Sequence, residues 1–370
     1  MSIILGVLGL GFLIFFHELG HFLAARLFGV KVEAFSVGMG PVLLHRTIKD
    51  TDYRLSLIPL GGYCSMKGEH DYQTAIEQNL PNIQGEKDSF YGVHPLKRLI
   101  IAFSGPFFNL IFGFLAFTII AIMGYTYYTA GTTVGMADEI YEDVKSPAHE
   151  AGMLTGDDIT SIDGILMHDF SEIAEYISTN PDKDIIITVK RLDKLYEIKV
   201  HTLLDIETGS GKIGIVSSPD SIQERHYGPY GFFRALREGC LECIKLGKLT
   251  VKGISLLFKG VKITSAVSGP ARITTMLGDT VKQGFAENIH VGIVSTLQLL
   301  AIISLSLFIT NLLPVPILDG GLILFALIEW ISHRKINPKV LYYIQFIGIA
   351  FIGVLMTIAI TGDIKYFISK

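Results

Sequence analysis

Charged side chains avoid four stretches of this chain. Residues 3–16, 99–137, 291–318 and 340–362 carry none, and the first run resumes over 22–25 after one glutamate and two histidines. A helix needs about 20 mostly apolar residues to cross a bilayer. The runs predict transmembrane helices over 1–28, 97–124, 289–332 and 338–362. Between the first two, residues 42–47 and 53–58 are strand-like and flank a polar turn at Lys49, Asp50, Thr51 and Asp52. The loop 29–96 therefore reads as a β-hairpin followed by a polar, mobile segment over 71–89. Apolar strands directly after a spanning helix fit a hairpin dipping into the membrane, and an ordinary surface ribbon has the same pattern. Residues 125–218 read as a compact α+β domain: a strand at 159–162, a turn at Asp163 and Gly164, a helix at 169–178, and strands at 185–191 and 195–200. Residues 219–288 read as amphipathic connecting helices, with Arg234, Arg237, Lys245, Lys248, Lys252 and Lys259 set among apolar positions. Such helices lie on a membrane surface or pack on the protein itself. The fold class is an α-helical polytopic membrane protein with four transmembrane helices, a membrane-associated β-hairpin and one α+β domain.

Composition sharpens this. The 370 residues are 49% hydrophobic, and a mean hydropathy of +0.46 is rare for a soluble chain of this length. A net charge of −4 gives no footprint for nucleic acid. Three cysteines cannot build a disulfide framework. Cys240 and Cys243 form a lone C-x-x-C, a weak zinc or redox signal or simply two small residues on a helix. The first span reads as resident rather than a secretory signal, because no basic residue precedes it and no small-residue cleavage site follows. Arg26, Lys31, Lys97 and Arg98 flank the first loop, and Arg334, Lys335 and Lys339 lie between the last two spans. By the positive-inside rule these loops are cytoplasmic, and both termini and 125–218 are outside the cytoplasm.

The chemistry sits inside the first apolar run. His17 and His21, four apart, share one face of a helix, with Glu18 beside it. In this H-E-x-x-H spacing two imidazoles hold a zinc ion and the carboxylate takes a proton from the water that zinc acidifies. Ionisable groups at membrane depth cost about 2.5–3.5 kcal/mol on insertion scales and are there for function. The alternative is a pair of hydrogen-bonded core histidines with an incidental glutamate. A hydrolytic zinc takes three protein ligands. Asp319 is the candidate for the third, as the only acid between Glu287 and Glu329, directly after Pro314 and Pro316 break the helix ladder. A helix cap at that break is the other reading. Asn311 could serve the freed carbonyls or a substrate backbone, and Gly320 and Gly321 allow close helix approach.

Two resemblances follow from these motifs. Ser146, Pro147, Ala148, Ala151, Gly152, Gly156, Asp157 and Ile159 resemble the S-P-A-x-x-A-G-x-x-x-G-D-x-I signature of PDZ domains of the bacterial protease type. That implies a peptide-binding groove working by strand addition, or a filter against bulky proteins. The whole chain resembles the site-2 protease family, and within it the bacterial regulator of sigma-E protease group. The matching stretches are 17–22 and 35–41, the glycine-rich 59–69, Ser104-Gly105-Pro106-Phe107-Phe108-Asn109, Ser268-Gly269-Pro270, and the N-x-x-P-x-P-x-L-D-G-G run from Asn311 to Gly321. The resemblance implies His17, His21 and Asp319 as ligands of one Zn2+ per chain and Glu18 as general base. It implies Asn311, Pro59, Leu60, Gly61 and Gly62 as contacts for an unwound substrate. Gly105, Pro106, Asn109, Pro314, Pro316, Gly320 and Gly321 are its structural motif positions. The implied activity is intramembrane endopeptidase cleavage of single-pass membrane proteins, an anti-sigma factor or signal-peptide remnants, in a stress response at the bacterial inner membrane. The site would lie near the cytoplasmic side, with the lipid bilayer as surroundings and no nucleic-acid partner. Some members carry two tandem PDZ domains; 125–218 has room for one. The competing classes are a non-catalytic PDZ membrane scaffold with structural histidines and a zinc-bearing transporter.

Overall fold

The structure is a computed structural model describing residues 2–206, 208–257 and 268–368, apart from the side chains of Pro59, Leu60 and Pro219. In chain order its elements are α1 (Ser2–Leu27), β1 (Val32–Ile48), β2 (Thr51–Met66), α2 (Asp71–Glu77), α3 (Pro95–Met123), β3 (Tyr125–Ala130), β4 (Val134–Met136), α4 (Pro147–Glu150), β5 (Asp158–Ile162), β6 (Ile165–Leu166) and α5 (Phe170–Ser178). There follow β7 (Lys183–Arg191), β8 (Lys194–Leu204), β9 (Gly211–Lys212), β10 (Ile215–Ser217), β11 (Ile222–Tyr227), α6 (Phe232–Leu257), α7 (Pro270–Glu287), α8 (Ile289–Asn311), α9 (Asp319–Ser332) and α10 (Pro338–Ile368). They form two units: Met1–Ile122, Gly231–Gly247 and Ser268–Lys370 in the first, Met123–Tyr230 and Lys248–Val267 in the second.

Among the described residues four helices, α1, α3, α8 and α10, are long and apolar enough to cross a membrane. The third run does not form one span over 289–332. Pro314 and Pro316 cannot donate to a helix ladder, so α8 stops at Asn311 and α9 begins at Asp319. Within the first unit α1 and α3 run antiparallel. Phe12 meets Phe112, Phe16 meets Phe108 and Phe112, and a Cβ on Gly20 would strike the carbonyl of Ser104. That absent side chain is what lets the two backbones approach.

The hairpin is longer than the strand pattern indicated. Residues 34–37 partner 62–65 on one side and 52–55 on the other, while 44–48 partner 51–55, so the two long strands double back into a small sheet. Its base packs on the helices through Phe22, Val32, Phe35, Cys64, Met66 and Ile101. Its far end leaves Met39, Val42, Leu43, Leu44, Leu57 and Ile58 exposed. The segment expected to be mobile over 71–89 is instead packed: Tyr72, Ala75 and Ile83 are buried with Leu341 of α10.

α7 begins in a way that explains the Ser268-Gly269-Pro270 motif. The first N–H groups of a helix have no partner within it. Here the carboxylate of Asp363, buried on α10, accepts from the N–H of Gly269, Ala271 and Arg272 at 2.9, 3.0 and 3.2 Å. A Cβ on Gly269 would collide with that carboxylate. Pro270 has no N–H to leave unserved.

In the second unit β6-β5-β7-β8-β9 form one sheet, with β4–β10 and β3–β11 as separate ladders. Ile159, Ile162, Ile185, Ile187, Val189 and Val200 close over Ile173 and Ile177 of α5, which Asp169 caps by accepting from Glu172 N–H. The stretch 219–288, expected to form amphipathic connecting helices, is not helical throughout. Residues 222–227 form β11, which pairs with β3 from Ile222–Ala130 to Tyr227–Tyr125. Residues 258–267 of that stretch lie outside the described residues. Asp157 is buried, and Arg191 grips both its oxygens at 2.7 Å while Leu154 N–H donates at 2.9 Å. Burial alone would push its carboxyl up; the hydrogen bonds from Arg191 and Leu154 and the Arg191 charge outweigh it and hold the carboxyl below its ordinary value.

Asp363→Ala should remove three acceptor bonds and weaken the start of α7 by about 2 kcal/mol. Hydrogen exchange at Gly269, Ala271 and Arg272 should accelerate while the α5 amides stay unchanged. The depressed Asp157 carboxyl stabilises the second unit above the ordinary carboxylate pKa. That stabilisation is lost as pH falls below about 4. Asp157→Asn should cost about 3 kcal/mol at neutral pH and flatten the acid limb of a urea-unfolding series followed on β5 and β7 amides.

Candidate metal centre

The antiparallel contact of α1 and α3 decides where the two histidines point. Residues 101, 105 and 109 lie one turn apart on one face of α3. His21 Nδ1 donates to the carbonyl of Ile101 at 2.8 Å, and His17 Nδ1 lies 3.0 Å from the Asn109 amide. Between them Gly105 faces the His21 imidazole so closely that a Cβ would sit on the ring. Pro106 follows and removes the N–H that would otherwise bond Ala102. The G-P-x-x-N motif thus makes room for one imidazole and contacts the other. Both histidines are buried.

Their remaining nitrogens converge. His17 Nε2 and His21 Nε2 are 3.2 Å apart, and Asp319 places one carboxylate oxygen 3.1 Å from the first and the other 3.3 Å from the second. Among the described residues His17, His21 and Asp319 are the group of such donors that could hold a metal ion, all within 4.8 Å of one another. A zinc tetrahedron with bonds of about 2.0–2.1 Å has edges of about 3.3 Å. The separations observed match those edges, and two imidazoles with a carboxylate suit zinc. Asp319 opens α9, where the positive end of the helix dipole favours a carboxylate. Gly320 and Gly321 sit against the carbonyls of Leu312, Leu313 and Val315, so the broken segment folds tightly over the start of α9.

Two clefts meet at this centre. One, of about 310 Å3, is lined by His17, Glu18, Gly61, Gly62, Asn109, Asn311 and Asp319, with Met39 and Ile317. The other, of about 430 Å3, shares His17, Glu18 and Asp319 and adds His21, Tyr63, Ser65, Glu69 and His70. Gly62 lies beside Glu18, whose Cγ would be 3.5 Å from a Cβ there. Gly61 has φ +115°, a conformation that favours glycine. The side chains of Pro59 and Leu60 lie outside the described residues. Pro314 and Pro316 stay in the break and line neither cleft. Sequence reasoning missed the Ile101 carbonyl, which no side chain advertises, and Glu69. Burial raises the Glu69 carboxyl above its ordinary value, and Met66 N–H donates to it at 3.3 Å.

The chain matches the family model described as peptidase family M50 over residues 5–355. It belongs to that family, the site-2 proteases. A protein of Treponema pallidum is 34% identical over 99% of this chain and 99% of its own. One of Campylobacter jejuni is 36% identical over 98% and 93%, and one of Helicobacter pylori 32% over 98% and 98%. All three bear names beginning "Putative zinc metalloprotease". The PDZ domain of an SdrC-like protein from Listeria monocytogenes is 26% identical, covers 25% of this chain and 88% of its own, and has a TM-score of 0.20. This M50 chain is a membrane zinc metalloendopeptidase.

Gly105→Ala should push the His21 ring off its line to Asp319. Zinc affinity of the full-length protein, measured by competition with a chelator, should fall about 10-fold or more.

Proposed function

We propose that this peptidase cuts peptide bonds within transmembrane segments of single-pass membrane proteins, with one zinc held by His17, His21 and Asp319. The observation that carries the reading is the convergence of His17 and His21, inside the membrane-length α1, with Asp319 at the start of the apolar α9. A bound zinc supplies Lewis acidity, making water a nucleophile near neutral pH and polarising the scissile carbonyl. Glu18, which faces both clefts, takes the proton of the attacking water on its carboxylate and delivers it to the leaving nitrogen.

A helical substrate hides its carbonyls in its own ladder and must unwind first. Residues 62–65 pair with β1 on one edge, and among the described residues no strand pairs with the other. An unwound substrate adds to that edge, with Gly61 and Gly62 allowing its backbone close and Asn311 bonding it from the opposite wall. Pro59 and Leu60 belong to the same strand. The exposed apolar end of the hairpin dips into the lipid. The polar cleft with Glu69 and His70 admits water. Basic residues beside the spans put the hairpin and this cleft on the cytoplasmic side, with both termini and the second unit outside, in a bacterial inner membrane. Residues 125–218 are a single PDZ domain that filters or tethers substrates, trimmed anti-sigma factors or signal-peptide remnants.

Glu18→Gln should leave zinc content unchanged, at one per chain, and reduce cleavage of a single-pass substrate in proteoliposomes by at least about 100-fold. Asp319→Ala should lose zinc as well. A Glu18→Gln protein that still cut at the wild-type rate would overturn the assignment.

A further inference from the structure

We propose that Asn109 is a positioning residue of the metal centre: its side-chain oxygen accepts the proton of His17 Nδ1 and so keeps His17 Nε2 free for the ion. The inference rests on the reading of His17 as a zinc ligand.

An imidazole that ligates through Nε2 must carry its proton on Nδ1. For His21 the requirement is met by the backbone. Its Nδ1 faces the Ile101 carbonyl, which can only accept, so the proton is on Nδ1 and the Nε2 lone pair points at the centre. For His17 the corresponding partner, two turns further along the same face of α3, is a side-chain amide that can either donate or accept. With Nδ2 toward the ring at 3.0 Å, Asn109 would donate to Nδ1 and force the His17 proton onto Nε2, the atom aimed at Asp319. The two orientations of a side-chain amide fill the same volume, and hydrogen bonding decides between them. In that orientation Oδ1 is buried without a partner. A half-turn of the amide therefore sacrifices no bond made by the oxygen and brings it to the one ring nitrogen that needs an acceptor. The rest of the residue is fixed. Asn109 is fully buried, and Ser304 Oγ on α8 donates to its backbone carbonyl at 2.9 Å. Its side chain can turn in place but has nowhere else to go. Outer-shell acceptors of this kind set the tautomer and orientation of a metal-bound histidine.

The test separates accepting from donating. Asn109→Asp keeps an acceptor and removes the donor; Asn109→Leu keeps the volume and removes both. In full-length protein in detergent, zinc affinity by chelator competition should stay within a few-fold of wild type for Asp and fall about 10–100-fold for Leu. Nitrogen-15 spectra of the metal-free protein should show His17 with its proton on Nδ1 in the Asp variant and on Nε2, or mixed, in the Leu variant. A packing role would instead shift the metal-free melting midpoint in both variants with affinity following it. Equal loss in both variants, or wild-type affinity in the Leu variant, overturns the proposal. Should the Leu variant not fold, a large loss in the Asp variant alone overturns it. Wild-type affinity in His17→Ala would remove the ligand reading itself, and this proposal with it.

Discussion

Where packed side chains or lipid exclude water, a polar group inside an apolar helix must be met by a partner from another helix. The first unit is arranged around that constraint. The imidazoles of α1 are met by a carbonyl and an amide of α3. The backbone carbonyl beside that amide is met by a serine of α8. The orphan N–H groups of α7 are met by a carboxylate of α10. Each pairing demands close approach, and glycine supplies it at Gly20, Gly105 and Gly269. The apolar surroundings that make these contacts necessary also keep them unscreened. Orientation of the histidines is thus a result of how α1 and α3 pack rather than of α1 alone.

The acid enters by a different device. A continuous third span would carry Asp319 on a helix face with its backbone groups already paired. The proline break instead leaves Asp319 in the first turn of a new helix, where free N–H groups and the helix dipole favour negative charge. The same break leaves Asn311 at the end of α8, on the wall of one cleft. Two residues eight apart in sequence therefore face one cavity because the chain between them is not helical.

Much of this was legible in the sequence, and the exceptions have physical causes. H-E-x-x-H and the isolated acid stood out because charge in an apolar run is costly and rare. The spanning helices stood out because backbone in lipid has few options. What was hidden depended on partners far along the chain. Residues 222–227 read as part of a helical connector, and pairing with the distant β3 makes them a strand instead. Tyr72, Ala75 and Ile83 are sparse among polar neighbours, and residues as distant as Phe325, Ile336 and Leu341 complete their core. The folding-back of the hairpin follows from one strand pairing on two edges, which no alternation reveals. Gly269 gave no hint that it clears space for Asp363, since its reason lies on another helix.

The distance in sequence between the histidine pair and Asp319 has a bearing on how the cell makes this protein. Ribosomes deliver the chain from the amino end, so α1 and α3 are inserted and paired long before α9 exists. Throughout that interval the centre has two of its three donors and no acid to close it. The three-donor group is thus incomplete while the chain is threaded into the membrane, and closes only when insertion is nearly complete.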